Sequence, residues 1–287
     1  MLDKKQSIEV LKRLDIFSNM MLNPLKQKHL DKIPFLKAEA ITLNLEDAIA
    51  PSRKKEALEN IANLLESKPD TKAQLIVRIN PLEEGGREEI VFLNSFNFDA
   101  IRLSKPTSKE QIVKALKLIR DDKELHISME TKEAFYGLRD WRVDERFTTA
   151  NLGILDLLNS LNLPQSLLQL KNPTIDYILS KFVVDANSVG ILPVGFMFQD
   201  YKDIDGFKKW CEKEKLMGFT SKACMGPAQV EVANTVFGVS EDEIKRAKEI
   251  VKAFEESSKN GENGFMHHEY GFIDEPIYKD ALLVLQK

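Results

Sequence analysis

Cysteine is nearly absent: the 287 residues hold two, Cys211 and Cys224. Neither has a CxxC partner or metal-ligand spacing. That excludes a disulfide framework and a thiolate zinc site, and it suits a reducing cytoplasm. Both thiols read as structural rather than catalytic. Histidine is almost as scarce, with His29, His126, His267 and His268 the complete set. His126 falls inside an apolar run and reads as structural. The His267-His268 pair has no evident third partner for a metal. No apolar run approaches the roughly 18 residues that would span a bilayer, so no membrane partner is expected. Met1-Leu-Asp-Lys-Lys-Gln6 is polar, unlike a secretory signal, and leads into a mixed helical pattern. Excess positive charge is missing too. Lys and Arg number 41 against 45 Asp and Glu, with no basic stripe, which argues against a nucleic-acid partner. The Gly-rich phosphate turn of a dinucleotide-binding open sheet is not there; Asn23-Pro-Leu-Lys26 stands in its place. Internal repeats and low-complexity segments are absent.

What is present is alternation. Apolar residues make up 43% and charged residues 30%, so the chain can bury a sizeable core and is neither disordered nor fibrous. Short apolar runs predict strands over 16–22, 40–45, 74–79, 100–103, 125–130, 149–154, 191–198 and 218–225. Helical patterns lie between them at 52–65, 86–94, 109–120, 131–138, 176–187 and 203–216. Eight strands with intervening helices predict an α/β fold, a (β/α)8 TIM barrel over 1–226; a doubly wound sheet ranks second. Beyond Pro227 the alternation stops. Ile244, Ala247, Ile250, Val251 and Phe254 give a helical stripe over 240–255, opened by a Ser240/Glu243 capping box. A polar loop with two glycines follows over 257–264, then a helix over 274–285. This C-terminal extension, 227–287, is expected to pack on the barrel or on a neighbouring subunit.

Several apolar runs end in charge. Ile41-Thr-Leu-Asn-Leu45 runs into Glu46 and Asp47, and Gln74-Leu-Ile-Val77 into Arg78 and Asn80. His126-Ile-Ser-Met129 runs into Glu130 and Thr131, and Ala150-Asn-Leu-Gly-Ile-Leu155 into Asp156. Charge at the end of a buried strand is costly without a partner, and α/β barrels keep their active sites at that end. Glu130 and Asp156 could share a hard cation such as Mg2+, which takes one or two carboxylates and fills its shell with water and substrate. Arg78 could bind a carboxylate or enolate oxygen through its planar fork. The other reading is structural. Glu130 and Asp156 would cap helices, and Arg78 would pair with Glu46 or Asp47. Spacing alone leaves both open.

At these positions the chain resembles a known family. Leu43-Asn-Leu-Glu-Asp-Ala-Ile-Ala-Pro51 resembles the DLEDAVAP stretch of the HpcH/HpaI aldolase family, which includes citrate lyase beta subunits. Val77-Arg-Ile-Asn-Pro81 is similar to its VRVNP, and Met129-Glu-Thr131 to its IET. Gly153-Ile-Leu-Asp156 falls where the family has GAED. Gly218-Phe-Thr-Ser-Lys222 with Pro227-Ala-Gln229 resembles GFxGK…HPxQ, and Gly271-Phe-Ile-Asp-Glu-Pro276 resembles MIDxP. The motifs keep their order from about Ile41 to the end.

The resemblance implies Mg2+ as cofactor, with Glu130 and Asp156 as its ligands, and Arg78 as the arginine that binds an oxo acid. Glu46 and Leu155 would line the substrate. Asp274 would act as acid or base in a neighbouring subunit's site, or else cap the last helix. The implied activity is Mg-dependent carbon–carbon lysis, a retro-aldol or retro-Claisen cleavage. A 3-hydroxy acid or its thioester would release oxaloacetate, pyruvate or glyoxylate. A CoA or acyl-carrier thioester is the implied substrate partner, and a homotrimer or other homo-oligomer the implied assembly. The chain departs from the pattern at Asn44, at Gly226 and at the first strand, which lacks the family's arginine. These departures keep two alternatives open: a thioester hydrolase on the same site, or a noncatalytic subunit of a lyase assembly.

Overall fold

In the barrel strands, residues alternate between two destinations. Ile41, Leu43, Val77, Ile79, Ile101, Leu103, Ile127 and Met129 join the main apolar core between sheet and helices. Their neighbours Thr42, Asn44, Arg78, Arg102, His126 and Ser128 are buried as well, and by the strand's two-residue period they face the barrel axis. Each buried Leu, Ile or Val on the outer side contributes about 1.5–3 kcal/mol, which makes the register of each strand hard to shift.

The computed structural model describes residues 16–285. The polar start at Met1-Gln6 and the helical pattern after it lie outside the described residues. The strands are β1 (Ser18–Leu22), β2 (Ala40–Asn44), β3 (Gln74–Ile79), β4 (Ala100–Leu103), β5 (Glu124–Met129), β6 (Phe147–Leu152), β7 (Leu192–Gly195) and β8 (Ser221–Cys224). All pair in parallel in chain order, and β8 closes onto β1 with Asn19 opposite Ala223. This is the (β/α)8 barrel that the alternation predicts.

The helices of this unit are α1 (Gln27–Leu30), α2 (Lys54–Glu66), α3 (Gly86–Leu93), α4 (Lys109–Leu118), α5 (Lys132–Trp141), α6 (Ile154–Ser160), α7 (Pro173–Ser188), α8 (Ile204–Leu216) and α9 (Pro227–Phe237). Several start on a side-chain cap. Ser108 accepts from Gln111 N, Thr131 from Ala134 N, Asn172 from Ile175 N and Asp203 from Gly206 N. Such caps satisfy backbone donors that the first turn leaves free, and so fix where each helix leaves the barrel mouth.

Two differences from the sequence reading bear on the barrel's mouth and its closure. The sixth strand, expected over 149–154, ends at Leu152, and the apolar residues after Gly153 form α6. The alternation also does not stop at Pro227. That proline opens α9, which packs on β8, β1 and α8 as the eighth barrel helix. Proline at a first helical position loses no hydrogen bond, so it starts a helix as readily as it ends one. The compact barrel unit accordingly spans Ile16–Phe237.

From Gly238 the chain forms a second unit with its own small core. Helix α10 (Glu241–Lys259) starts on the complete Ser240/Glu243 capping box. A hairpin that the sequence reading missed follows, β9 (Gly264–His267) with β10 (Gly271–Asp274), and then α11 (Glu275–Leu285). Ala247, Ile250 and Phe254 of α10 bury against Ile273 and Ala281 of this same unit. The helical stripe is therefore covered locally.

Candidate active site

Charges converge at the C-terminal mouth of the barrel, where β2, β3, β4 and β5 end. Glu46 and Asp47 follow β2, Arg78 is the fifth residue of β3, and Glu130 immediately follows β5. Arg78 Nη2 lies 2.6 Å from Glu46 Oε2, 3.0 Å from Glu130 Oε1 and 3.6 Å from Asp47 Oδ2. Its Nε donates to Ser104 Oγ at 3.0 Å. Arg78, Glu46 and Glu130 are all at most 5% exposed. The pairing with Glu46 and Asp47 is thus present, and Glu130 belongs to it as well.

The β2 turn is built to hold this pair of acids. Asn44 Nδ2 donates to Asp47 O and its Oδ1 accepts from Glu46 N, so one amide braces both sides of the turn. Ala48 sits at φ 68° and Lys105 at φ 47°, both in the left-handed region that costs a residue with a side chain. These strained positions flank the cluster.

Lys105, which the sequence reading did not single out, completes it. Its Nζ lies 2.8 Å from Glu46 Oε1 and 3.1 Å from Asp47 Oδ2. Burial works against its charge, but hydrogen bonds to Glu46 and Asp47 outweigh that and raise its pKa. Burial likewise raises the pKa of Glu46, with the nearby Arg78 opposing. Asp47 moves the other way. Burial disfavours its charge, but hydrogen bonds with Glu46 and Lys105 and the charges of Lys105 and Arg78 prevail. Two adjacent carboxyls are thereby pushed apart, one toward holding a proton and one toward shedding it.

Glu130 is satisfied on one side only. Oε1 pairs with Arg78, while Oε2 is buried with no hydrogen-bond partner. Gly153 packs directly on this side chain: a Cβ there would stand 2.1 Å from Glu130 Cγ. Three residues later comes Asp156, half-buried in the first turn of α6, with partly buried Leu155 beside it and packed on the main core. An acid in a first turn is favourable to the helix whatever else it does. Among the described residues no group of three or more His, Cys, Asp or Glu side chains could hold a metal ion.

A second arginine, also not foreseen, lies one strand further round. Arg102 on β4 is the register partner of Arg78, is 5% exposed, and donates from Nε to Ser128 Oγ at 2.9 Å. Burial first, then the charge of Arg78, disfavours its cation, while Glu130 and Glu46 favour it from a distance. A search for charges at the ends of apolar runs passes over it, because its run, Ala100–Leu103, is only four residues long and the arginine lies inside it. The same search reaches Lys105, two residues past β4.

The remaining candidates sit elsewhere. Asp274 ends β10 in the second unit, where its Oδ1 accepts from Ile277 N at 3.3 Å. His126 Nε2 lies 3.1 Å from Glu124 Oε2 at the base of β5. The rings of His267 and His268 lie tilted to one another with centroids 4.5 Å apart in the second unit, and His267 Nδ1 accepts from Glu269 N and Tyr270 N. Both cysteines are buried and unpaired. Burial pushes the Cys211 thiol up to about 12 and that of Cys224 well above its usual range, so neither supplies a thiolate.

A closed parallel barrel with buried carboxylates and arginines at its C-terminal mouth is the frame of an α/β-barrel enzyme. A family model described as HpcH/HpaI aldolase/citrate lyase matches residues 18–227, and the chain belongs to that family. A (3S)-malyl-CoA thioesterase of Cereibacter sphaeroides is 30% identical over 238 residues, covering 83% of this chain and 82% of the relative. The mitochondrial citramalyl-CoA lyase of Rattus norvegicus is 24% identical, covering 89% of this chain and 80% of the relative. Among solved structures, the protein CitE from Mycobacterium tuberculosis was crystallised with magnesium, acetoacetate and coenzyme A. It superposes with a TM-score of 0.75 at 19% identity, covering 94% of this chain and 96% of that one.

Proposed function

We propose that the chain is a Mg2+-dependent carbon–carbon lyase. It would cleave a 3-hydroxy acid or its CoA thioester by a retro-aldol or retro-Claisen reaction and release a 2-oxo acid such as oxaloacetate, pyruvate or glyoxylate. The observation that carries this reading is the bare Oε2 of Glu130, buried and unpartnered beside Arg78. A buried carboxylate oxygen without a donor calls for a partner. The turn that carries Asp156 packs against the same side chain through Gly153. Oxygen donors of this kind, few in number, fit Mg2+, which fills its shell with water and substrate, better than a softer metal.

Glu130 and Asp156 would hold the cation. When bound, it would act as a Lewis acid on the oxygens of the oxo-acid fragment. Arg78 holds Glu130 and Glu46 in place and would contact that fragment. Glu46 and Leu155 would line it. In the reaction the substrate hydroxyl loses its proton and its oxygen becomes the oxo group. The electrons of the broken carbon–carbon bond leave on the acyl part as an enolate, which is then protonated. Asp274 of a neighbouring subunit would serve as the acid or base there, in a homo-oligomer.

The lyase family and the citramalyl-CoA lyase relative support cleavage of the carbon skeleton. The malyl-CoA thioesterase relative supports a second reading, hydrolysis of the thioester on the same site. One assay separates them. Malyl-CoA and citramalyl-CoA are incubated with the protein, with and without Mg2+, and the products are identified. Lysis yields an oxo acid and a shorter acyl-CoA; hydrolysis yields free CoA and the intact hydroxy diacid. Absence of both, with no measurable Mg2+ affinity, would sink the enzymatic reading.

A further inference from the structure

The two arginines at the mouth repeat one geometry a strand apart. Arg78 on β3 donates from Nε to Ser104, two residues beyond its register partner on β4. Arg102 on β4 donates from Nε to Ser128, two residues beyond its own register partner His126 on β5. Each side chain therefore leans the same way, up and across to the next strand. The repetition ends there. Where Arg78 meets Glu46, Glu130 and Asp47, Arg102 meets no carboxylate within ion-pair distance among the described residues. Glu130 and Glu46 act on it only as more distant charges.

Arg102 is thus a guanidinium that is 95% withdrawn from solvent, with one neutral hydroxyl as its hydrogen-bond partner. A buried charge without a counter-ion is destabilising, and mutation readily removes it unless something else requires it. Among the described residues no carboxylate pairs with it, although Glu46, Asp47 and Glu130 gather around the neighbouring Arg78. A fork of this shape accepts a carboxylate through two parallel hydrogen bonds.

We propose that Arg102 is a substrate-binding residue that takes a carboxylate of the ligand entering between β4, β5 and β6. Arg78, already engaged by Glu46 and Glu130, mainly positions those acids. Selection for the ionised acid over neutral analogues then falls to Arg102. The proposal deepens the oxo-acid reading above and rests on it for the identity of the ligand, though not for the anion.

Calorimetry on the full chain tests it with pyruvate and the uncharged methyl pyruvate, in the presence of Mg2+. Arg102→Gln is expected to weaken pyruvate by about tenfold or more, the loss of a charge-assisted pair, and to leave methyl pyruvate unchanged. Arg102→Lys should recover part of the loss. The melting temperature of Arg102→Gln should equal or exceed the parent's, because a counter-ion-free charge has been removed. Equal pyruvate affinity in parent and Arg102→Gln would overturn the proposal. So would a variant that melts well below the parent and loses both ligands alike, which marks a structural role. If the parent binds neither oxo compound, acetate and malonate are titrated without Mg2+. Arg102-dependent binding of those anions would retain the arginine's role and remove the oxo-acid reading; no binding of any carboxylate would remove both.

Discussion

At Glu130 one oxygen is paired and the other is not, and that asymmetry yields two predictions. Glu130→Gln keeps the shape and the acceptor for Arg78 but removes the charge that a cation would need. Mg2+ or Mn2+ affinity should fall by at least about tenfold, the weight of one charged contact, while the fold persists. Titration calorimetry measures the first and circular dichroism the second; an unaltered metal affinity would remove Glu130 as a ligand. Gly153→Ala reaches the same carboxylate from behind. A methyl group 2.1 Å from Glu130 Cγ forces the side chain or the β6–α6 turn to move. The cost should be about 1–3 kcal/mol in urea denaturation, with a parallel loss of metal affinity although no proposed ligand has been altered. Glu46, Arg78 and Glu130, which meet at the mouth, stand out in the sequence because each interrupts or closes an apolar run. Arg102 does not, since its run, Ala100–Leu103, is only four residues long and a charge there reads as an ordinary strand residue.

Elements were legible where their period was clear. β3 and β4 fall on 74–79 and 100–103 as expected, because Val, Ile and Leu alternate with residues that face the axis. α6 and α9 were hidden for opposite reasons. α6 follows β6 with only Gly153 between, so strand and helix read as one apolar run. α9 opens on Pro227, which reads as a stop when nothing shows that the first turn can accept it. A third element feature was invisible altogether. Lys222 of β8 and Glu214 of α8 are fully buried, with Nζ 2.7 Å from Oε1, and the ammonium lies 3.6 Å from the centre of the Phe196 ring. Burial pushes Glu214 up to about 7, against the pull of Lys222. Removing the lysine alone strands an acid in the core. Lys222→Met should cost about 3–5 kcal/mol in urea denaturation at neutral pH. Because Glu214 is raised above its unfolded value, the ion pair's stability contribution is linked to pH. The native state binds the proton more tightly than the unfolded chain, so this group's contribution declines as pH rises from the usual carboxylate range through about 7. The double variant Glu214→Leu with Lys222→Met should recover most of the loss and flatten that pH dependence. A double variant as unstable as the single one would show that the methionine packs badly and that charge is not the cause.

For the whole molecule the open matter is what completes the site. The stripe on α10 does not demand a neighbour, since the hairpin and α11 bury it within the second unit. The hairpin's other face is different. Met266 and Phe272 stand opposite one another across β9 and β10, and they are 75% and 57% exposed. Ile277 and Leu283 of α11 are exposed as well. Exposed large apolar side chains on so small a unit are the kind of surface that another subunit covers, and closed symmetric assemblies are the common outcome. Asp274 lies at the end of that hairpin and caps α11. An aspartate that only caps a helix can be replaced by asparagine at little cost, because the amide oxygen accepts the same hydrogen bond. Asp274→Asn should therefore melt like the parent. If the residue also serves a neighbour's reaction, the variant should lose turnover nonetheless. Mixing Asp274→Asn subunits with Glu130→Gln subunits then tests the shared site. Each parent is expected to be inactive alone. After subunit exchange, followed by native mass spectrometry, some interfaces hold an intact Glu130 on one side and an intact Asp274 on the other, and part of the activity should return. Mixed oligomers without recovery would confine Asp274 to its capping role and leave each barrel to complete its chemistry from its own loops.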